Sequence, residues 1–443
     1  MIQIKNSSTG KYFQIDTNKQ LTIYNCGPTL YNHIHIGNLR PLIVFDIFYR
    51  YLLQIGCNVK YVHNLTDIDD KIINRAKELQ KSELEVTDFY HKEYLKIFEK
   101  LNVKKMDIMP KVSDNITGII GMIEEIVNNG FAYVVNGDVY FKTNSIKDYG
   151  SVSGQNIDNL ISGARVAFND DKISPLDFAL WKSTKEGIGW KTKWNEHGRP
   201  GWHSECVFLI NKYIGKQVSI HGGGVDLKFP HHENENAQNI ALNGIPLAKC
   251  WMHVGHLNVH NQKMSKSLNN FILVKDILKE YSGNAIRLFL ISTNYEKPIN
   301  YSSKILDSFN NEIYLLFSNL NLGIITLHNA KKGFELKNNL DVVLPKEFIE
   351  ALDDNLNTPN AISVIWNYVK CISKLIKEKQ YQELIIKLRE ILFMIDTLGL
   401  KYSNPLSDES ILDLVNNWNS AIKIGDYKKA DELRGILKEK KII

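Results

Sequence analysis

Residues 21–65 read LTIYNCGPTLYNHIHIGNLRPLIVFDIFYRYLLQIGCNVKYVHNL, and the changes of pattern within them decide the fold class. Leu21–Asn25 is a short apolar run that breaks at Gly27-Pro28, the mark of a strand running into a loop. Beyond Gly37, the polar residues Asp46, Arg50 and Gln54 recur at every fourth position, and the residues between them are apolar or aromatic. That spacing predicts a helix with one narrow polar stripe and an otherwise buried surface. Gly56 ends the helix, and the chain resumes as a strand from Asn58 to Leu65. Strand, helix and strand of these lengths imply a parallel βαβ unit, with ligands expected beyond the carboxyl ends of the strands. Those ends are residues 26–38 and 66–70.

Outward from this unit the pattern changes. From Ser113 to Trp194 the runs are shorter, and two of them flank Asn136-Gly137, a hairpin signal. This stretch reads as an insertion that splits an α/β fold. The α/β pattern returns at Arg199, with a helix from Glu205 to Asn211, a strand from Val218 to His221, a Gly222-Gly223-Gly224 loop and a helix from Asn234 to Leu242. From Asn300 to about Gly399 amphipathic helix dominates, and the remainder reads as two charged helices. Residues 422–443 hold seven Lys/Arg against four Asp/Glu. A solvated helix face is the plainer explanation of that tail, an RNA contact the other.

A chain of 443 residues is too long for one ordinary core and predicts two to four packed units. With 44% apolar and 23% charged residues, the composition is that of a globular protein and gives no case for disorder. The net charge of +5 suits a polyanionic partner, but an excess this small is common in proteins without one. The opening MIQIKNSSTGKYFQID lacks the apolar core of a secretory signal, and no apolar run approaches the length of a membrane span. The five cysteines are odd in number and far apart, with no CxxC pair. That argues against a disulfide framework and for a reducing cytoplasm.

His35-Ile36-Gly37-Asn38 falls between the first strand and its helix. A glycine there lets the chain pass close beneath a ligand, and the helix N-terminus offers free N–H groups to a phosphate. Taken alone, a loop histidine without a role is the better explanation of the segment. Lys263-Met264-Ser265-Lys266-Ser267 sets two lysines three apart among small hydroxyl residues. Such a loop can neutralise charge on a departing pyrophosphate, although a solvated lysine loop also explains it when it stands alone. About 230 residues separate the two segments. As a pair they resemble the HIGH and KMSKS motifs of class I aminoacyl-tRNA synthetases. Further segments, CGPT at 26–29, NLTDIDDK at 64–71, PGWHSEC at 200–206 and HGGGVDLKFPHHENE at 221–235, resemble in order those of the cysteinyl-tRNA synthetases.

The resemblance implies an α/β fold: a Rossmann-type parallel-sheet catalytic domain, split by a connective insertion and followed by an all-α bundle and a small C-terminal anticodon-binding region. Residues 1–112 and 199–250 are then the catalytic halves, 113–198 the insertion, 251–305 the linker domain bearing KMSKS, 306–400 the bundle and 401–443 the anticodon-binding region. It also implies one zinc ion per chain held by Cys26, Cys206, His231 and Glu235, a donor set that suits Zn2+. On a helix His231 and Glu235 share a face, being four apart, while His232 and Glu233 point elsewhere to supporting or capping roles. A metal would accept the thiolate of cysteine in preference to the hydroxyl of serine. Packing alone separates such isosteres by only ~1–3 kcal/mol.

By the same carry-over Gly27, Thr66, Trp202, His221 and Asp226 line the cysteine pocket. ATP, accompanied by Mg2+, is bound by His35, Gly37, Asn38, His221, Gly222, Gly223 and Lys266, while His35, Asn38, Lys263 and Lys266 serve catalysis. The implied substrates are ATP, L-cysteine and tRNA-Cys, and the implied enzyme is cytoplasmic and monomeric. HGGG also resembles a hydrolase oxyanion loop, but no GxSxG accompanies it.

The sequence departs from the family at two places. Asn38 stands where the family's motif ends in histidine, and an amide still donates to phosphate. Residues 430–438 resemble the family's last helix, but the chain stops at Ile443, where members commonly continue with a tryptophan-containing segment that helps dock the anticodon. Two rival functions share some of these motifs. One is the cysteine ligase of mycothiol synthesis, which joins cysteine to an amino sugar; the helical tail favours the synthetase. The other is a non-catalytic paralogue, which the intact Cys26, Cys206, His231, Glu235 and Lys266 speak against.

Overall fold

The computed structural model describes residues 1–155, 171–259, 262–263, 271–332 and 343–443. The chain opens with a hairpin of β1 (Gln3–Lys5) and β2 (Tyr12–Gln14). Then β3 (Leu21–Asn25), α1 (Ile36–Gln54) and β4 (Val59–His63) form the expected βαβ unit, with β3 and β4 parallel and Leu21 opposite Val59. Next come α2 (Asp70–Leu79), α3 (Glu83–Lys100) and α4 (Ile116–Asn128). An antiparallel sheet follows, built in chain order from β5 (Ala132–Val135), β6 (Asp138–Phe141), β7 (Phe178–Ser183) and β8 (Gly198–Pro200). Its first turn is Asn136-Gly137, both at positive φ (50° and 88°), as a two-residue hairpin turn with matching twist requires.

After α5 (Trp202–Tyr213), the strand β9 (Val218–Gly224), α6 (Glu233–Asn243) and β10 (Ala248–Val254) complete a central sheet of order β10-β9-β3-β4, parallel throughout. The chain leaves β3 toward β4 and leaves β9 toward β10. The connections therefore part above the carboxyl ends of β3 and β9, where open α/β sheets bind ligands. Next to it β11 (Leu257–Val259), β12 (Gln262–Lys263) and β13 (Ile299–Tyr301) make a small sheet, with α7 (Val274–Glu280) and α8 (Gly283–Ile291) between β12 and β13 in the chain. The rest of the described chain is helical: α9 (Ser303–Asn329), α10 (Lys346–Asp353), α11 (Thr358–Lys377), α12 (Tyr381–Thr397), α13 (Glu409–Ile424) and α14 (Tyr427–Glu439).

Successive side chains of a strand face opposite ways, and here each face builds its own core. Ile23, Tyr61, Ile220 and Met252 join the apolar cluster of α1, which continues into the helices as far as Leu388 and Met394. Their neighbours Tyr24, Val62 and Trp251 join a second cluster with α4, α5 and the insertion, including Ile119, Val207 and Trp181. Each fully buried large apolar side chain of this kind contributes roughly 1.5–3 kcal/mol.

Two local expectations are corrected. The polar stripe of α1 does not face water: Asp46 is 1% exposed and bonds Arg287 (2.5 Å), Arg50 (3.1 Å) and the Lys104 N–H (2.7 Å). The stripe is polar because it meets a buried cation on α8, which periodicity cannot distinguish from solvent. Gly222-Gly223-Gly224 is no loop but the end of β9, hydrogen-bonded to β10 as far as Gly224 and to β3 at Gly222. A Cβ on Gly222 would lie 2.0 Å from the Met252 carbonyl oxygen, so only glycine permits the strand to run that close.

Candidate active site

Cys26 is the first residue beyond β3, Cys206 lies in α5, and His231 and Glu235 flank the start of α6. Folding brings these four to one point, with their donor atoms all within 4.8 Å of one another. The two sulfurs are 3.8 Å apart, Cys206 Sγ is 3.8 Å from His231 Nε2, and Cys26 Sγ is 3.9 Å from Glu235 Oε1. A tetrahedral zinc with ~2.3 Å bonds to sulfur needs a sulfur–sulfur edge of about 3.8 Å. The donor set and the sulfur–sulfur edge fit the ion, while His231 Nε2 and Glu235 Oε1, paired at 2.8 Å, would part by about half an ångström around it.

The surroundings hold each donor in place. His221 Nε2 donates to the second oxygen of Glu235 (2.6 Å), and His231 turns its Nδ1 to His203 Nδ1 (3.0 Å). Trp202 stacks on the His231 ring at 3.9 Å. Burial disfavours the Glu235 charge, yet His231 and His221 hold its carboxyl well below the ordinary range. Burial likewise opposes a charged His231, but Glu235 outweighs it and raises the imidazole to about 10. Burial pushes the Cys206 thiol well up, and Cys26 beside it acts in the same direction. Such a cluster sheds protons when a cation enters.

His232 does not point elsewhere, as helical spacing implies. Residues Lys228–His232 form a wide helical turn with Phe229 in an extended conformation (φ −139°, ψ 134°), so His231 and His232 both reach the cluster. His232 Nε2 is 3.4 Å from Cys26 Sγ, and its Nδ1 is 2.7 Å from His253 Nε2. Cys26, His221, His232 and Glu235 thus form a second, overlapping donor set. Glu233 accepts from the Ser153 N–H (2.7 Å) and ties the insertion to α6.

A cleft of about 350 Å³ opens beside the cluster, lined among others by Cys26, Gly27, His35, Gly37, Asn38, Trp202 and Asp226. Gly27 is required at its floor, because a Cβ there would meet the Asn64 carbonyl oxygen at 1.6 Å. The His35 ring caps α1, its Nδ1 accepting from the Asn38 N–H (3.3 Å). Burial depresses its imidazole to about 4, only Asp226 opposing, so the ring is neutral and its Nε2 keeps a hydrogen to donate. Pro41, also on the cleft wall, has no N–H to give the Gly37 carbonyl, so the first turn of α1 lacks that helical bond.

Other expected site residues fall elsewhere. Thr66 is 2% exposed beneath the cleft and donates to Glu205 (2.9 Å). His221 is 0% exposed, behind Glu235 and bonded through Nδ1 to the Tyr24 carbonyl (3.1 Å), so it is not a wall of the pocket. Gly222 and Gly223 lie within β9. Lys263 ends β12, and Lys266 lies outside the described residues. The flank beyond it pairs with the histidine motif: the Ile36 N–H donates to the Ile272 carbonyl (3.0 Å), and the His35 ring meets Phe271 at 4.9 Å. Asn25, His63 and Tyr94 also line the cleft, and no motif or periodicity marks them in the sequence.

The arrangement matches known proteins over most of its length. Residues 12–311 match the family model described as tRNA synthetases class I (C) catalytic domain, and 347–401 match the DALR domain. A cysteine–tRNA ligase of Malacoplasma penetrans is 45% identical over 99% of this chain and 98% of its own length. One of Ureaplasma parvum is 47% identical over 95% of each, and one of Mycoplasmoides gallisepticum is 42% identical over 100% of each. Among solved structures, a Mycobacterium tuberculosis methionyl-tRNA synthetase in complex with methionyl-adenylate shares the fold, with a TM-score of 0.61 at 13% identity over 89% of this chain and 94% of that one. These matches favour the tRNA ligase over the amino-sugar ligase and the non-catalytic paralogue. The chain belongs to the cysteine–tRNA ligase family of class I aminoacyl-tRNA synthetases.

Proposed function

We propose that the chain selects L-cysteine through one zinc ion held by Cys26, Cys206, His231 and Glu235, activates it with Mg-ATP in the adjoining cleft and passes it to tRNA-Cys. The observation that supports this most is the convergence of four donors, from three remote segments of the chain, within 4.8 Å of one another beside the His35–Asn38 turn. When bound, the metal supplies a soft Lewis acid that favours a thiolate over the hydroxyl of serine. Gly27, Trp202 and Asp226 bound the amino-acid end of the cleft. Thr66 and His221 act from beneath it, the first on Glu205 and the second on Glu235.

In the first step the cysteine carboxylate forms a bond to the α-phosphorus of ATP, the bond to the bridging oxygen breaks, and pyrophosphate leaves with its Mg2+. The carboxylate is already ionised, so no protein base is needed. Neutral His35 donates from Nε2, the Asn38 amide and the N-terminus of α1 hold phosphate, and Lys263 and Lys266 offset the charge gathering on the pyrophosphate. Gly222 and Gly223 keep the end of β9 low beneath the nucleotide. In the second step a terminal ribose hydroxyl of the tRNA attacks the activated carbonyl. AMP leaves, its phosphate accepting the hydroxyl proton.

We assign residues 1–112 and 199–250 to catalysis, 113–198 to the insertion, 251–305 to the KMSKS linker, 306–400 to the bundle and 401–443 to anticodon binding. A cytoplasmic monomer suits this reading, since Cys26 and Cys206 must stay reduced. No helix among the described residues is long and apolar enough to cross a membrane.

Purified protein is expected to charge tRNA-Cys with cysteine and not with serine. Cys206→Ser loses both the metal and the discrimination, whereas Lys266→Ala keeps the metal and slows cysteine-dependent ATP–pyrophosphate exchange by about 10²–10³. Loss of metal from Lys266→Ala, or no exchange in the parent, overturns these roles.

A further inference from the structure

A second groove, of about 470 Å³, lies between α2, α3 and the start of α7, and it shares Asn32, His33 and Leu273 with the cleft, so the two adjoin at these residues. Its wall is aromatic. The His33, Phe89 and Tyr90 rings meet edge to face with centroids 5.1–6.1 Å apart, and Phe89 is 49% exposed. Phe89 is turned away from the buried face that Tyr90, Tyr94 and Phe98 give to the core.

Charge separates the occupants such a surface could hold. Arg75 is engaged by Glu78 (2.9 Å) and the Tyr90 hydroxyl (3.2 Å), and the groove's carboxylate, Glu85, is engaged by Ser82 at the start of α3. Lys81 and Lys275 also line the groove and form no ion pair among the described residues. What is left over is an exposed flat ring in a groove that two lysines without an ion-pair partner also line. This is the composition of a single-stranded nucleic-acid site, where a base stacks and phosphates meet lysine without sequence readout. A ribose hydroxyl that reaches the cleft leaves its neighbouring nucleotides outside it, and this groove adjoins the cleft.

We propose that the groove seats the unpaired 3′ end of the tRNA, with a base on Phe89 and phosphates on Lys81 and Lys275. The inference rests on the tRNA-ligase reading above. Its test separates the two half-reactions in the full-length protein. Phe89→Ala and the double variant Lys81→Glu/Lys275→Glu keep cysteine-dependent ATP–pyrophosphate exchange within about twofold of the parent, since exchange needs no tRNA. KM for tRNA-Cys rises about tenfold in Phe89→Ala, the worth of one stacked base. In the lysine variant the dependence of log KM on log salt flattens by about 1.4, or ~0.7 per phosphate contact. Phe89→Leu keeps the volume but not the flat face, so it is expected to share the tRNA defect while melting like the parent.

Unchanged tRNA parameters in both variants overturn the proposal and point to another occupant, such as a peptide. A loss of exchange matching the loss of charging overturns it too, by assigning these residues to the cleft itself. Failure of the ligase reading is separate: the parent protein then neither exchanges nor charges.

Discussion

His63 closes β4 with its Nδ1 against the Asn25 carbonyl (2.9 Å) and its Nε2 against the Tyr94 hydroxyl (2.8 Å), at 2% exposure. The residue after Asn25 is the donor Cys26, so this imidazole fixes the backbone from which that sulfur projects. Burial pushes its pKa down to about 4, outweighing the opposing influence of the Asn25 carbonyl. An unfolded chain protonates the same ring near 6.5, so between pH 6.5 and 4 only the unfolded state takes up the proton. Stability is therefore lost as pH falls through that window, by on the order of 3 kcal/mol from this one group. Urea titrations at pH 7 and 4.5 are expected to show a smaller acid loss in His63→Gln than in the parent; equal losses contradict the assignment. Nothing in the sequence singles this histidine out, because its role lies in two partners brought by folding. Cys26, Cys206, His231 and Glu235 were legible through family resemblance alone, since their spacing, apart from the last pair, carries no metal signal.

In α1, the same helix that presents His35, Gly37 and Asn38 to the cleft carries Asp46 and Arg50 on its far side. The side chains of Asp46 and Arg287 are both fully buried. Arg287 also bonds the Leu101 carbonyl (3.0 Å) and the Leu398 carbonyl (2.9 Å), so one guanidinium joins α1, the end of α3, α8 and the end of α12. Gly399 lies against it at φ 70°, where a Cβ would come within 2.0 Å of Nη2. Removing one charge of a buried pair strands the other, so Asp46→Asn is expected to cost ~3–5 kcal/mol, with much of that recovered in Asp46→Leu/Arg287→Met. Urea midpoints of the single and double variants check this, and a loss below ~1 kcal/mol in Asp46→Asn contradicts it. The bounds of α1 and α6 were readable from the pattern nearly to the residue, as was the Asn136-Gly137 hairpin, whereas α5 starts three residues before and ends two after the expected Glu205–Asn211. The direction of the polar stripe was not, because a 3.6-residue period shows that one face differs without showing what it meets. The glycine run failed for a related reason: small residues signal close approach, and here the approach is by a neighbouring strand.

Across the protein, one apolar cluster runs from the catalytic sheet into the α9–α12 helices, and a second lies under the insertion. The cleft sits at the carboxyl edge between these two cores. The α/β class and the split by an insertion followed from pattern and spacing. The last residues described pack on the helical bundle: Tyr314 and Asn321 of α9 donate to main-chain oxygens of Ile443 (3.0 Å) and Ile442 (2.8 Å). Under the proposed function the arrangement places one metal where the amino acid enters, and zinc-edge X-ray absorption of the loaded full-length protein tests that placement most directly. Two sulfur neighbours are expected from the protein alone, three with saturating cysteine, and two with serine. One sulfur in the protein alone would point to the donor set Cys26, His221, His232 and Glu235 instead. A count that cysteine leaves unchanged would contradict selection through the metal.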